Sequence, residues 1–137
     1  MTSASVLSHV TARHTSVDLA RCARSCGHAR QWAHSALTDW AYSAVPRSDV
    51  LMVVSELVAN ALIHACGPIR AHLDHRADGS LQVAVDDGGP SLTTSAPDPE
   101  EHGRGLVLVA ALADEFGRSA DVSSPYTARH WATLSAA

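Results

Sequence analysis

The sequence predicts a two-layer α/β sandwich of the α+β type, with a mixed, mostly antiparallel sheet and its helices on one face. Three observations lead there. Two stretches, 25–44 and 48–65, repeat apolar residues at three- and four-residue steps. Two runs, 69–74 and 81–85, alternate apolar and polar residues on either side of a turn. A third helical stretch is then followed by two more short runs. The chain's 137 residues suit one domain around one core.

Residues 1–16 carry Ser, Thr and His with little periodicity and read as a flexible arm, leaving 17–137 as the domain. Val17 to Cys22 reads as a short edge strand. Gly27 breaks what precedes it, and Ala29, Trp32, Ala33, Ala36, Leu37 and Trp40 mark a helix over Ser25–Ala44, ended by Val45-Pro46. Ser48 is the expected N-cap of the next helix, with Asp49 at its positive end. Val50, Leu51, Val53, Val54, Leu57, Val58, Ala61, Leu62 and Ala65 give it a broad apolar face, and Gly67-Pro68 stops it. Ile69 to Val85 reads as a hairpin turning at Ala77-Asp78-Gly79-Ser80, and Asp86-Asp87-Gly88-Gly89-Pro90 breaks its second strand. Ser91 to His102 is polar, contains Pro97 and Pro99, and reads as a long loop. A helix is expected from Leu106 to about Asp114, closed by Phe116-Gly117. Strands are expected over Arg118–Ser123 and Thr127–Leu134, around a turn at Ser124-Pro125.

Composition narrows the function classes. Hydrophobic residues at 46% and charged residues at 18% exclude a disordered chain. A net charge of -4 argues against a dedicated nucleic-acid binder. No apolar run reaches the ~18 residues of a membrane span. The N-terminus lacks the basic start and apolar stretch of a leader, and the odd cysteine count of 3 fits a reducing compartment, so a cytoplasmic protein is expected. Cys22, Cys26 and His28 invite a zinc reading, but no second ligand pair accompanies them and free thiols are expected. All basic residues are arginine, so no lysine is available as a phosphate ligand or Schiff-base nucleophile.

Glu56, Asn60 and His64 fall at i, i+4 and i+8, one stripe of the second helix. Carboxylate and amide on so apolar a helix must face solvent or line a pocket. Residue types alone leave both open. An amide oxygen suits magnesium, and a carboxylate one turn earlier can deprotonate a hydroxyl. Asp86, at a strand end before Gly88 and Gly89, can accept a hydrogen bond from an exocyclic amine while glycine lets a flat ring approach; Asp-Gly pairs are also ordinary turns. Gly103-Arg104-Gly105 at a helix start can offer backbone N–H groups to phosphate, although no Walker lysine follows.

The order and spacing of these three pieces resemble the GHKL superfamily of ATPases and kinases, with their Bergerat, histidine-kinase-like ATPase fold. Glu56-Leu57-Val58-Ala59-Asn60-Ala61 matches the N box, Asp86-Asp87-Gly88 the first glycine box and Gly103-Arg104-Gly105-Leu106 the second. The run Val54 to Ala65, the run Gly103 to Asp114 and the Ala29-Arg30 pair are similar to the anti-sigma-factor serine/threonine kinase branch. The resemblance implies ATP and Mg2+ as cofactors, with Asn60 on the magnesium and Glu56 as general base. It places Asp86 and Gly88 at the adenine, His64 near the lid, and Gly103, Arg104, Gly105 and Leu106 over the phosphates. Arg30 falls in the partner-binding surface. It further implies transfer of the γ-phosphate to Ser or Thr of an antagonist protein, capture of a sigma factor, and a possible homodimer. The alternative is a non-catalytic, nucleotide-gated binding module of the same fold. The last strand departs from the family: Arg129 in Thr127-Ala128-Arg129-His130-Trp131 replaces the threonine of the adenine site, an exchange expected to recast the pocket.

Overall fold

The computed structural model describes residues 10–90 and 107–136. In chain order it has strand β1 (Thr11–Leu19), helices α1 (Ser25–Asp39) and α2 (Arg47–His64), and strands β2 (Ile69–Arg76), β3 (Leu81–Asp87), β4 (Glu115–Ser119) and β5 (Ala128–Leu134). Residues 107–112 are also helical. The strands form one sheet in the order β1-β2-β3-β5-β4, every neighbouring pair antiparallel. Both helices lie on one face, α1 against β1 and α2 against β3 and β5.

Strand period two sorts the side chains. Val17 and Leu19, Ile69, Ala71 and Leu73, Leu81, Val83 and Val85, and Ala132 and Leu134 face the helices and join one core. α1 adds Ala29, Ala33, Ala36 and Leu37. α2 adds Val50, Val53, Val54, Leu57, Val58 and Ala61, and Val109 packs in from the last helical segment. Trp32 and Trp40 pack on the rim of this core. The opposite face carries the alternate residues, among them Asp18, Arg70, His72, Asp86 and Arg129.

Several boundaries differ from expectation. β1 begins at Thr11, so residues 11–16 pair with β2 rather than fray, and His14 Nδ1 lies 2.5 Å from Asp74 Oδ1. The strand is mostly exposed, so its side chains lacked the alternation that would mark it. α1 stops at Asp39 because Ala41 takes φ 51°. The Tyr42 N–H then donates to Leu37 O at 2.9 Å and the Ala41 N–H to Thr38 O at 3.0 Å, the paired bonds of a left-handed helix stop. Pro46, not Ser48, is the N-cap of α2, its carbonyl accepting from the Asp49 and Val50 N–H groups. Gly117 is not a helix stop but a β4 residue lying under Trp131; a Cβ there would sit 3.0 Å from the indole. The turn at Ser124-Pro125 is present. No helix among the described residues is long and apolar enough to cross a membrane.

Candidate nucleotide site

Glu56, Asn60 and His64 occupy successive turns of α2 and are half-buried, on a helix whose opposite side is core. The Asn60 carboxamide nitrogen comes within 3.5 Å of His130 Nδ1. His130 faces α2 because it is two residues from core Ala132 on β5 and pairs in register with Val85. Arg30 on α1 is exposed and donates to Ser55 Oγ at 3.1 Å, which places its guanidinium one residue from Glu56. Cys26 lies beside this junction, and burial pushes its thiol up, with Arg30 opposing and Glu56 adding to the rise. All three cysteines are free thiols.

The C-terminal end of α2 is held by Arg21. Its guanidinium donates to the carbonyls of Ala61 at 3.1 Å, Leu62 at 3.3 Å, Gly67 at 3.3 Å, and Ala65. A cation there satisfies acceptors the helix cannot and complements its dipole. The loop that follows docks onto the end of β3. The Gly88 N–H donates to Cys66 O at 2.7 Å and the Cys66 N–H to Gly89 O at 2.9 Å. A Cβ on Gly88 would sit 2.6 Å from Cys66 O. Glycine is therefore required at position 88 for contact between two backbone segments.

The adjacent carboxylates Asp86 and Asp87 point to opposite faces of the sheet. Asp87 continues the series Leu81, Val83, Val85 and faces the helices, with Oδ1 accepting from the Gly89 N–H at 2.8 Å. Its Oδ2 carries no hydrogen bond among the described residues. Asp86 faces away. Arg129 grips it bidentately, Nε to Oδ1 at 2.6 Å and Nη2 to Oδ2 at 2.9 Å, and His72 Nε2 donates to Oδ2 at 2.8 Å. Burial raises the Asp86 pKa, but the hydrogen bonds and charges of Arg129 and His72 outweigh it and bring the carboxyl down to about 2. Asp86, which the resemblance places at the adenine, thus faces away from α2 with both oxygens engaged.

Arg129 shares this placement. β5 places Arg129 on the far face, in register with Asp86, so it neither fills nor lines the space beneath α2. Trp131, two residues on, shares that far face. The side chains that do face the helices at these positions are Asp87 and His130, neither of which sequence reading singles out. The signal was present in each case, since both fall at even steps from core residues of their own strands. Gly103, Arg104, Gly105 and Leu106 lie outside the described residues. Among the described residues no group of three His, Cys, Asp or Glu side chains is placed to hold a metal.

Comparison with known proteins agrees with this layout. No curated protein matches the chain. Among solved structures, that of the RsbU and RsbW domains of Rv1364c from Mycobacterium tuberculosis superposes with a TM-score of 0.63 at 19% identity, over 90% of this chain. This chain spans 32% of that longer one, and the likeness at such identity concerns the fold. A family model described as histidine kinase-like ATPase domain matches residues 19–127. The chain therefore belongs to the histidine kinase-like ATPase domain family.

Proposed function

We propose that the chain binds Mg-ATP between α2 and the helix-facing side of β3 and β5, and transfers the γ-phosphate to Ser or Thr of an antagonist protein. The observation that carries this reading is the pairing of Glu56 and Asn60, one turn apart on an otherwise core-forming helix, with Asn60 meeting His130 of β5 and Asp87 on the same helix-facing side of the sheet.

The donor set fits the cofactor. Asn60 offers a neutral carboxamide oxygen, a hard ligand that leaves room for phosphate oxygens and water on a magnesium ion. Asp87 takes the adenine role expected of Asp86, because one oxygen is oriented by Gly89 and the other is left to accept from an exocyclic amine. Glu56, one turn before Asn60, would receive the proton of an attacking serine hydroxyl. Bound magnesium would neutralise charge on the phosphates during transfer. Gly103, Arg104, Gly105 and Leu106 keep the phosphate-covering role implied by the resemblance, His64 its place near the lid, and Arg30 its place in a surface for a sigma factor or similar regulator. The alternative, a non-catalytic module, draws on the altered last strand, whose Arg129 lies on the other face of the sheet.

Titration calorimetry with ADP and ATP, with and without magnesium, tests the first half; magnesium-dependent binding is expected. Incubation with labelled ATP and candidate antagonist domains tests the second. Glu56→Ala should retain nucleotide and lose transfer by at least about 100-fold. Equal transfer by wild type and variant would remove Glu56 from the chemistry, and absence of nucleotide binding would remove the reading altogether.

A further inference from the structure

The row of β5 residues that faces the helices is Ala128, His130, Ala132 and Leu134. Three are apolar and small or branched, as a seam against α2 requires. The fourth is an imidazole. The buried residues of α2, Val50, Val53, Val54, Leu57, Val58 and Ala61, are all apolar, so a polar ring facing this helix needs a polar group to meet. It meets Asn60, whose Nδ2 lies 3.5 Å from His130 Nδ1. A carboxamide has two unlike ends: the NH2 only donates and the carbonyl oxygen only accepts. Only the oxygen can ligate a hard cation. With its nitrogen end turned to β5, the Asn60 oxygen is turned the other way.

We infer that His130 is a positioning residue that accepts a hydrogen bond from the Asn60 NH2 through Nδ1 and thereby holds Oδ1 toward the phosphate-bound cation. The inference rests on the Mg-nucleotide reading above. It also sets the tautomer: the neutral ring that accepts at Nδ1 carries its proton on Nε2. Groups that orient a metal ligand from behind typically change metal affinity by about 10–100-fold when removed.

His130→Val is the test, because a β-branched apolar residue suits a strand facing valines and removes the acceptor without leaving a polar group buried. His130→Gln restores an acceptor. ADP affinity is measured by calorimetry with and without magnesium chloride, and the Asn60 side-chain NH2 signals, assigned through Asn60→Asp, are followed by NMR without nucleotide. His130→Val should keep magnesium-free ADP affinity within about twofold, lose about tenfold or more of the magnesium enhancement, and move the Asn60 NH2 signals. His130→Gln should recover part of both effects. An unchanged magnesium enhancement in His130→Val overturns the inference while the nucleotide reading stands. So does an equal loss with and without magnesium, which would make His130 a wall of the pocket. A wild-type chain that binds no ADP overturns both.

Discussion

Asp86→Asn separates the two faces of the sheet. The native carboxylate is nine-tenths or more buried and accepts three hydrogen bonds, two from Arg129 and one from His72. Its pKa falls from 3.8 to about 2, which corresponds to roughly 2 kcal/mol of stability. Because the folded value is depressed, that contribution is fully present above the unfolded pKa of 3.8 and is lost as pH falls through about 2. The asparagine variant keeps the shape but loses the charge and turns an NH2 toward donors. It should be about 2–3 kcal/mol less stable at neutral pH, read as a lower urea midpoint at unchanged slope. The gap should then narrow from about pH 4 downward and be close to half its size by about pH 3. Taking the difference between the two proteins cancels the titration of their shared carboxylates. ADP affinity should stay within about twofold, since Asp86 faces away from α2, whereas Asp87→Asn should weaken it by about tenfold or more. If Asp86→Asn abolishes ADP binding with its urea midpoint unchanged, or Asp87→Asn leaves binding intact, the assignment of faces is wrong.

Three smaller perturbations follow from backbone and caps. Ala41 holds φ 51° at the end of α1, where glycine carries no Cβ penalty, so Ala41→Gly should raise stability by about 0.5–1 kcal/mol in urea unfolding. Gly88→Ala would push a Cβ to 2.6 Å from Cys66 O, a backbone atom, and should destabilise by about 1–3 kcal/mol while increasing amide exchange at Cys66 and at position 88. Arg21→Met keeps the aliphatic stem but leaves the carbonyls of Ala61, Leu62, Ala65 and Gly67 to water; a loss of about 1–2 kcal/mol is expected, with hydrogen exchange quickening first in the last turn of α2.

The parts of the fold that were legible in the sequence are those where burial writes a period. α2 and the hairpin of β2 and β3 alternate or repeat cleanly because one side of each is core, and they lie where the pattern places them. β1 was half-hidden because it is an edge strand whose first residues are exposed on both faces, so their identity is set by backbone pairing with β2 rather than by burial. The end of α1 was misplaced because an alanine, not a glycine, adopts the left-handed conformation there, and sequence offers no mark of that. Gly117 was read as punctuation because its use, room for the Trp131 ring on the neighbouring strand, is a contact between residues fourteen positions apart.

At the candidate site the helix and the strand beside it follow different periods. Glu56 and Asn60 were found because a helix puts i and i+4 together, and that rule was followed. The resemblance assigns Asp86 to the adenine, whereas the alternation through Leu81, Val83 and Val85 assigns odd positions of β3, Asp87 among them, to the helix side. A strand offers no latitude here: moving one residue along it moves the side chain to the other side of the sheet. Arg129 then follows without further choice. As the register partner of Asp86 it must share Asp86's face, so its arrival in the last strand supplies the countercharge for a buried carboxylate rather than an obstruction of a pocket. The arginine that stands in place of a threonine in the last strand is thus one half of an ion pair across β3 and β5, with Asp86 the other. The helix side of those strands is left to Asp87 and His130.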